Sequence, residues 1–204
     1  MDNPNTVLLV TMAQILILYG TTEGQTRRIA TVIGQAVRAA GHEAELLSVT
    51  SLDGAPVTDD ADGVIVGASV HGGRHQASVV DFVTAHREAL ADRPSAFFSV
   101  SLAVLDDGDP DVATGYVSAF LEETDWSPDV VATFAGALRY TKYGFLKRFI
   151  MKQISRRTGR PTDTSRDFEF TDWEEVDAFV DAFLQCVDAS GRALSPSTQS
   201  PTAP

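Results

Sequence analysis

Ile15-Leu-Ile-Leu-Tyr19 runs directly into Gly20-Thr-Thr-Glu-Gly-Gln-Thr26, after which Ile29, Val32, Ile33, Ala36, Val37 and Ala40 recur at helical spacing as far as Gly41. An apolar run without alternation marks a strand covered on both faces, the environment of a parallel sheet. The glycine- and threonine-rich turn and the amphipathic helix behind it begin the crossover that a parallel neighbour needs, and Gly41 is a helix stop. The unit reads as strand, turn, helix, and the rest of the chain repeats it.

Glu43–Val49 alternates more than the first strand and reads as a second strand nearer an edge, and Gly63–Ser69 (GVIVGAS) as a central third. Val79, Val80, Val83 and Leu90 mark the next helix, and Ala96–Ser101 a fourth strand. Asp109-Pro110 starts a helix, with Asp as cap and Pro in the first turn; Ala113, Tyr116, Val117, Phe120 and Leu121 form its apolar face. Val130–Leu138 reads as the fifth strand. Thr171-Asp-Trp-Glu174 has the form of a capping box, opening a last helix that turns Val176, Phe179, Val180, Phe183 and Leu184 inward. The pattern predicts an α/β protein with a doubly wound five-stranded parallel sheet over residues 14–188. Residues 1–13 form an N-terminal extension, with Met12 marking residues 1–11 as an added segment or an upstream start. Residues 189–204 are a Ser/Thr/Pro tail too polar to order.

Composition narrows the function. The chain of 204 residues carries 16 Lys+Arg against 28 Asp+Glu, a net charge of -12, and only Lys142, Lys147 and Lys152 are lysines. Such a chain repels nucleic acid, and its acidity suits a salt-rich cytoplasm as well as ordinary solubility. The mean hydropathy is -0.02 and no apolar run is long enough for a membrane span. One cysteine, Cys186, excludes an internal disulfide and any cysteine-based metal cluster; it reads as core packing in the last helix. The scattered histidines offer no metal site. His42 and His86 read as surface residues, and Trp126 and Trp173 as filler of core or surface. A cytoplasmic protein is expected.

The turn at 20–26 is where chemistry first appears. A helix start directs N–H groups and the positive end of its dipole at this turn, which suits an anion. Thr21, Thr22 and Thr26 add hydroxyls, and Gly24 lets the backbone curl closely. No lysine follows, so this is not a Walker A loop, and Gly20 and Gly24 are spaced wrongly for a dinucleotide fingerprint. What remains is a neutral cradle for a small terminal phosphate held without metal, or a plain strand-to-helix turn with a threonine cap.

Thr21-Thr-Glu-Gly-Gln-Thr26 resembles the FMN-phosphate loop of flavodoxins, T-x-T-G-x-T, with Glu23 in place of the middle threonine; a carboxylate beside a phosphate implies that Glu23 contributes only its backbone. A closer resemblance is to the flavodoxin-type, menaquinone-dependent protoporphyrinogen IX dehydrogenases, the HemG family. It rests on Asp62–Gly73 (DGVIVGASVHGG), Pro94–Leu102 (PSAFFSVSL), Ala135–Tyr143 (AGALRYTKY) and Thr162–Trp173 with its closing TDW, and runs from about Gln14 to about Val187. The resemblance implies a flavodoxin-like sheet of order 2-1-3-4-5 and an FMN cofactor. Its phosphate would lie on Thr21, Thr22, Glu23, Gly24, Gln25 and Thr26. Its ring would lie beyond the carboxyl ends of the central strands, between Ser69, Val70, His71, Gly72, Gly73 and Ser101, Leu102, Ala103. Gly136, Ala137, Leu138 and Arg139 would close the site. The catalytic residue is unknown, with His71 and Arg139 as candidates: His71 is either a proton shuttle near neutral pH or a solvated bystander.

Between Arg139 and Arg160 stand eight of the sixteen cationic residues and no acid. Phe145, Leu146, Phe149, Ile150 and Ile154 recur there at helical spacing with Lys147, Arg148 and Lys152 between them, a short basic amphipathic helix in an insert at 139–162. Such a helix at 143–157 suits peripheral contact with the inner face of an anionic membrane, or the carboxylates of a tetrapyrrole, or its own domain's acids. The reading that follows is an FMN-dependent oxidoreductase passing electrons from a reduced tetrapyrrole to a quinone. Its rivals are a flavodoxin-type electron carrier for a protein partner and an NAD(P)H-quinone reductase.

Overall fold

The computed structural model describes residues 12–52, 60–105, 111–138 and 168–194. Its elements are β1 (Gln14–Gly20), α1 (Gln25–Ala39), β2 (Glu43–Ser48), β3 (Gly63–His71), β4 (Arg74–His75), α2 (Ala77–Ala85), α3 (Arg87–Ala91), β5 (Ser95–Ser101), α4 (Asp111–Thr124), β6 (Val130–Ala135), β7 (Ala137–Leu138), β8 (Phe168–Glu169) and α5 (Trp173–Leu194). The main sheet has the order β2-β1-β3-β5-β6 with β4 appended to β3. All pairings along that order are parallel. This is the expected 2-1-3-4-5 order with one small strand added.

Alternation along each strand sends side chains to two cores. Ile15, Ile17, Ile65, Phe98 and Val100 join α1 and α5 on one face, where Ile29, Ile33, Phe179 and Phe183 close the layer. Leu16, Leu18, Val64, Val66 and Phe97 face the other way, under Val79, Val83, Leu90, Val117, Phe120 and Trp126. The edge strand β2 is only half-buried, as its alternation predicts. At the amino-terminal end, Gln14 and Asp62 lock β1 to β3 by two bonds of 2.8 Å, Gln14 N–H to the Asp62 carboxylate and Asp62 N–H to the Gln14 carbonyl.

Several expectations need correction. The third strand does not end at Ser69 but continues to His71, turns through Gly72 (φ 61°) and Gly73 (φ 82°), and returns as β4, with His71 opposite Arg74 and Val70 opposite His75. Two consecutive left-handed residues make the tight turn whose twist suits a β-hairpin, and glycine takes them without strain. The helix expected from Val79 to Leu90 is interrupted at His86 into α2 and α3. The fifth strand leaves the main sheet at Gly136, and its last residues pair antiparallel with β8 instead. The last helix runs on through Ser190 and Gly191 to Leu194, beyond the boundary that composition placed at 188. Ala13, assigned to the extension, is buried, its N–H donating to His42 Nδ1 at 3.2 Å and its carbonyl accepting from Glu43. His42 is therefore buried, not a surface residue. The Asp109-Pro110 start, the whole insert at 139–162, residues 1–11 and the tail from 195 lie outside the described residues.

Candidate functional site

The turn after β1 takes the form its glycine allows. Gly24 stands at φ 94°, in the left-handed region, and α1 begins immediately after it. The Thr21 hydroxyl accepts the Gly24 N–H at 2.9 Å and draws the turn closed. Gly24 offers no side-chain cap to α1 and the helix's first turn holds no acid, so the positive end of the helix faces the turn. Thr26 is fully buried, and its Oγ1 has no hydrogen-bond partner among the described residues. A buried hydroxyl without a partner is costly in a folded protein, on the order of 1–3 kcal/mol, and this one is left with its hydrogen-bonding capacity unspent. The residues fit a phosphate: an uncapped helix start, a left-handed glycine and an unspent hydroxyl.

Gln25 and Thr171 were assigned other roles by sequence. Gln25 is buried and donates from Nε2 to Thr171 Oγ1 at 2.9 Å and to Glu169 Oε1 at 3.2 Å. Glu169 also holds Arg28, whose guanidinium lies over the Trp173 ring at 5.4 Å. The Gln25 side chain thus braces the turn from behind. The expected capping box at 171–174 does not form. Asp172 caps α5 instead, accepting from Glu174 N–H at 2.9 Å, while the Thr171 hydroxyl donates to the Ala135 carbonyl at 2.7 Å. Burial decides between the two candidates, because Thr171 is covered and Asp172 is exposed. These bonds tie the first turn of α1 to the point where β6 leaves the sheet.

The second group of expected residues lies at the carboxyl ends of β3 and β5. Ser69 and Val70 are half-buried on β3, while His71, Gly72 and Gly73 form the exposed hairpin tip. Ser101 is buried at the end of β5, its carbonyl accepting Gly136 N–H at 3.0 Å, and Leu102, Ala103 and Val104 follow half-buried in a short turn. Gly136 and Ala137 are buried beside them, and the Gly136 carbonyl accepts Phe170 N–H at 3.2 Å. The segments 21–26, 69–73, 101–103 and 136–138 therefore converge on one end of the sheet. Arg139 lies outside the described residues, as do the 143–157 helix and its proposed contacts.

Two side chains outside the expected site residues, His75 and Gln76, stand behind this rim. His75 folds under the hairpin, its Nε2 hydrogen-bonded to Ser99 Oγ at 2.9 Å and its ring edge-on to Phe97 and Phe120. Burial pulls its pKa from 6.5 down to about 4, so it is neutral at physiological pH. A cleft of about 340 Å³ opens beside it, between the hairpin and α4, lined by Gly73, Arg74, Tyr116 and Glu123. Gln76, at the start of α2, reaches back to the β1 turn. No linear pattern marks either residue; only the hairpin brings them in.

Elsewhere, His86 is half-buried, stacked on Phe82 at 4.2 Å and bonded to its carbonyl. Trp126 is core, and Trp173 sits in the first turn of α5 as expected. Cys186 lies half-buried at the core margin, its thiol pKa raised by burial and then by Asp129. Among the described residues no cluster of His, Cys, Asp and Glu is placed to hold a metal, and no helix is long and apolar enough to cross a membrane.

Residues 16–165 match the family model described as a flavodoxin domain. The chain belongs to the flavodoxin family. Within it, this flavodoxin domain is 35% identical over 177 residues to the protoporphyrinogen IX dehydrogenase (quinone) of Escherichia coli strain K12, covering 85% of this chain and 96% of that one. It is also 35% identical to the protoporphyrinogen IX dehydrogenase (quinone) of Leishmania major, over 82% of this chain and 73% of that one. Among solved structures, oxidised flavodoxin 1 from Bacillus cereus superposes with a TM-score of 0.51 at 17% identity, covering 85% of this chain and 98% of that chain. The match in fold and the match in sequence thus point the same way.

Proposed function

We propose that this flavodoxin domain is an FMN-dependent oxidoreductase that oxidises a reduced tetrapyrrole of the protoporphyrinogen class and passes the electrons to a quinone. The observation that carries the flavin reading is Thr26 Oγ1, buried without a partner at an uncapped helix start. The substrate class follows from relatives of that name that match this chain over most of its length. When bound, FMN supplies the two-electron chemistry of the site.

The chain's own part is to hold, orient and exclude. The Thr26 hydroxyl and the amides at the start of α1 grip the phosphate, and Thr21, Thr22 and Gly24 shape the turn around it, with Glu23 giving backbone only. Ser69–Gly73 and Ser101–Ala103 flank the ring, and Leu102 and Ala103 keep water from it. Gly136–Leu138 and Arg139 close the remaining side. His71 at the hairpin tip is placed to exchange protons with solvent, and Arg139 is a candidate to meet a substrate carboxylate. The basic stretch at 143–157 docks the acidic protein on an anionic membrane surface where quinone is available.

The deciding experiment begins with the visible spectrum of freshly purified protein and continues with protoporphyrinogen IX and a menaquinone analogue, anaerobically. A yellow protein showing quinone-dependent growth of porphyrin fluorescence is expected. A yellow protein without that growth is an electron carrier, and NADPH oxidation would make it a nicotinamide-dependent quinone reductase. A colourless protein that takes up no FMN at micromolar concentration ends the flavin reading.

A further inference from the structure

Gln76 touches more of the proposed cofactor site than its position in the sequence suggests. It precedes α2, on the opposite face of the sheet from α1, yet its carboxamide lies against the turn after β1. In the orientation that matches acceptor to donor, Oε1 faces the N–H groups of Thr21 and Thr22, each at 3.2 Å, with the Thr22 hydroxyl at 3.1 Å and the Ser69 hydroxyl at 2.8 Å beside it. Nε2 then donates to the Gly20 carbonyl at 3.1 Å. One uncharged side chain therefore satisfies both ends of the β1 exit and joins it to Ser69 on β3.

The packing is specific. A Cβ on Gly20 would collide with Val79 and come within 2.7 Å of the Gln76 carboxamide, so the close seat of Gln76 depends on the bare backbone at that point. The chemistry is specific too. The Thr21 and Thr22 amides would otherwise open toward the same anion as the helix start, and a carboxamide oxygen occupies them without adding negative charge. Aspartate or glutamate would accept the same two N–H groups but set a full charge beside the phosphate.

We infer that Gln76 is a positioning residue for the flavin cradle: it fixes the phosphate turn in its binding shape and sets its distance from the ring-binding strand β3. The inference rests on the flavin reading above. It concerns the nucleotide tail, so it separates ligands that carry the phosphate from those that lack it.

FMN and riboflavin titrations, followed by quenching of flavin fluorescence, test it on the wild type, Gln76→Leu and Gln76→Glu. Removing the carboxamide in Gln76→Leu should weaken FMN by about tenfold, the effect of losing one well-placed hydrogen-bonding group. Gln76→Glu, of the same shape, should weaken it further, by roughly a hundredfold, because the added charge opposes the phosphate. Riboflavin should change by no more than about twofold in either variant, since an uncharged tail makes no demand on the turn. Amide exchange at Thr21 and Thr22 should quicken in Gln76→Leu. Equal losses for FMN and riboflavin would reduce Gln76 to a general structural contact, and unchanged FMN affinity in Gln76→Glu would overturn the inference outright. Should Gln76→Leu fail to fold, the isosteric variant decides alone. A wild type that takes no FMN removes the flavin reading and this one with it, whereas FMN-binding wild type with indifferent variants removes this one only.

Discussion

The two faces of the sheet are built by different rules. The face under α1 and α5 is rich in aliphatic residues and phenylalanine, with Phe98, Phe134 and Phe179 packed edge to face or tilted and Phe183 buried in the same cluster. The face under α2, α3 and α4 also holds a stacked aromatic pair, Phe97 on Phe120 at 4.4 Å, but with polar atoms set among the rings. His75 and Ser99 are bonded to one another there, and the Trp126 indole N–H is buried with no partner among the described residues. The first face is a mainly hydrophobic seal, and its helix α1 follows the turn at 20–26. The second trades some of that cohesion for a polar anchor beneath the hairpin at 71–74. Cohesion and positioning have been given to opposite sides of one sheet.

Cutting the seal should have the largest effect. Phe183→Ala opens a cavity against Gly63 and the strands and should cost about 3–5 kcal/mol in urea unfolding, equally at pH 5 and pH 8. A pH-dependent loss there would erase the distinction between the faces. The second face should respond to pH instead. The folded pKa of His75, about 4, lies below its ordinary 6.5, so the unfolded chain takes up the proton first as pH falls. The stabilisation is complete above pH 6.5 and is lost progressively toward pH 4, by about 2 kcal/mol after allowing for the ring's partial access to solvent. In His75→Phe that segment of the Tm-against-pH curve should flatten; an unchanged curve would show that other groups govern it.

Thr26→Val sharpens the comparison at the site. On the apolar side of the sheet a buried hydroxyl without a partner gives the apoprotein nothing, so the variant should be as stable as the wild type or more so, by up to about 1 kcal/mol. Its FMN affinity should nevertheless fall about tenfold in the same titration. A destabilised apoprotein would mean that the hydroxyl has a structural role. The smallest effect belongs to Arg28→Ala. Its half-exposed pair with Glu169 and its seat over Trp173 should contribute below about 1 kcal/mol, fading in molar KCl.

Much of this was legible in one dimension. Period alone locates β1, α1, β3 and β5, because strands covered on both faces are continuous apolar runs and helices are not. The turn at 20–26 is legible for a related reason: a glycine between a continuous apolar run and an amphipathic one marks where strand gives way to helix. What periodicity cannot see is a departure from it. Gly72-Gly73 carries no apolar signal, so neither the hairpin nor the half-buried seats of His75 and Gln76 just after it can be read from period. Val130–Leu138 looks continuous although its partner changes at Gly136. The cap of α5 was misassigned because Thr171 and Asp172 are equivalent as cap residues until burial distinguishes them. His42 looked like a surface residue because nothing local reveals that Ala13 lies against it.

The parting of β6 and β7 at Gly136 has one more implication. Leu138 and Phe168 sit opposite each other in a two-stranded ribbon, so the polypeptide departs and comes back at a single doorway. The arrangement is that of a socket: replacing 139–167 by a two-residue turn would leave the ribbon a simple hairpin and the sheet untouched. Chain inserted at that doorway can change in length without disturbing the register of the five parallel strands.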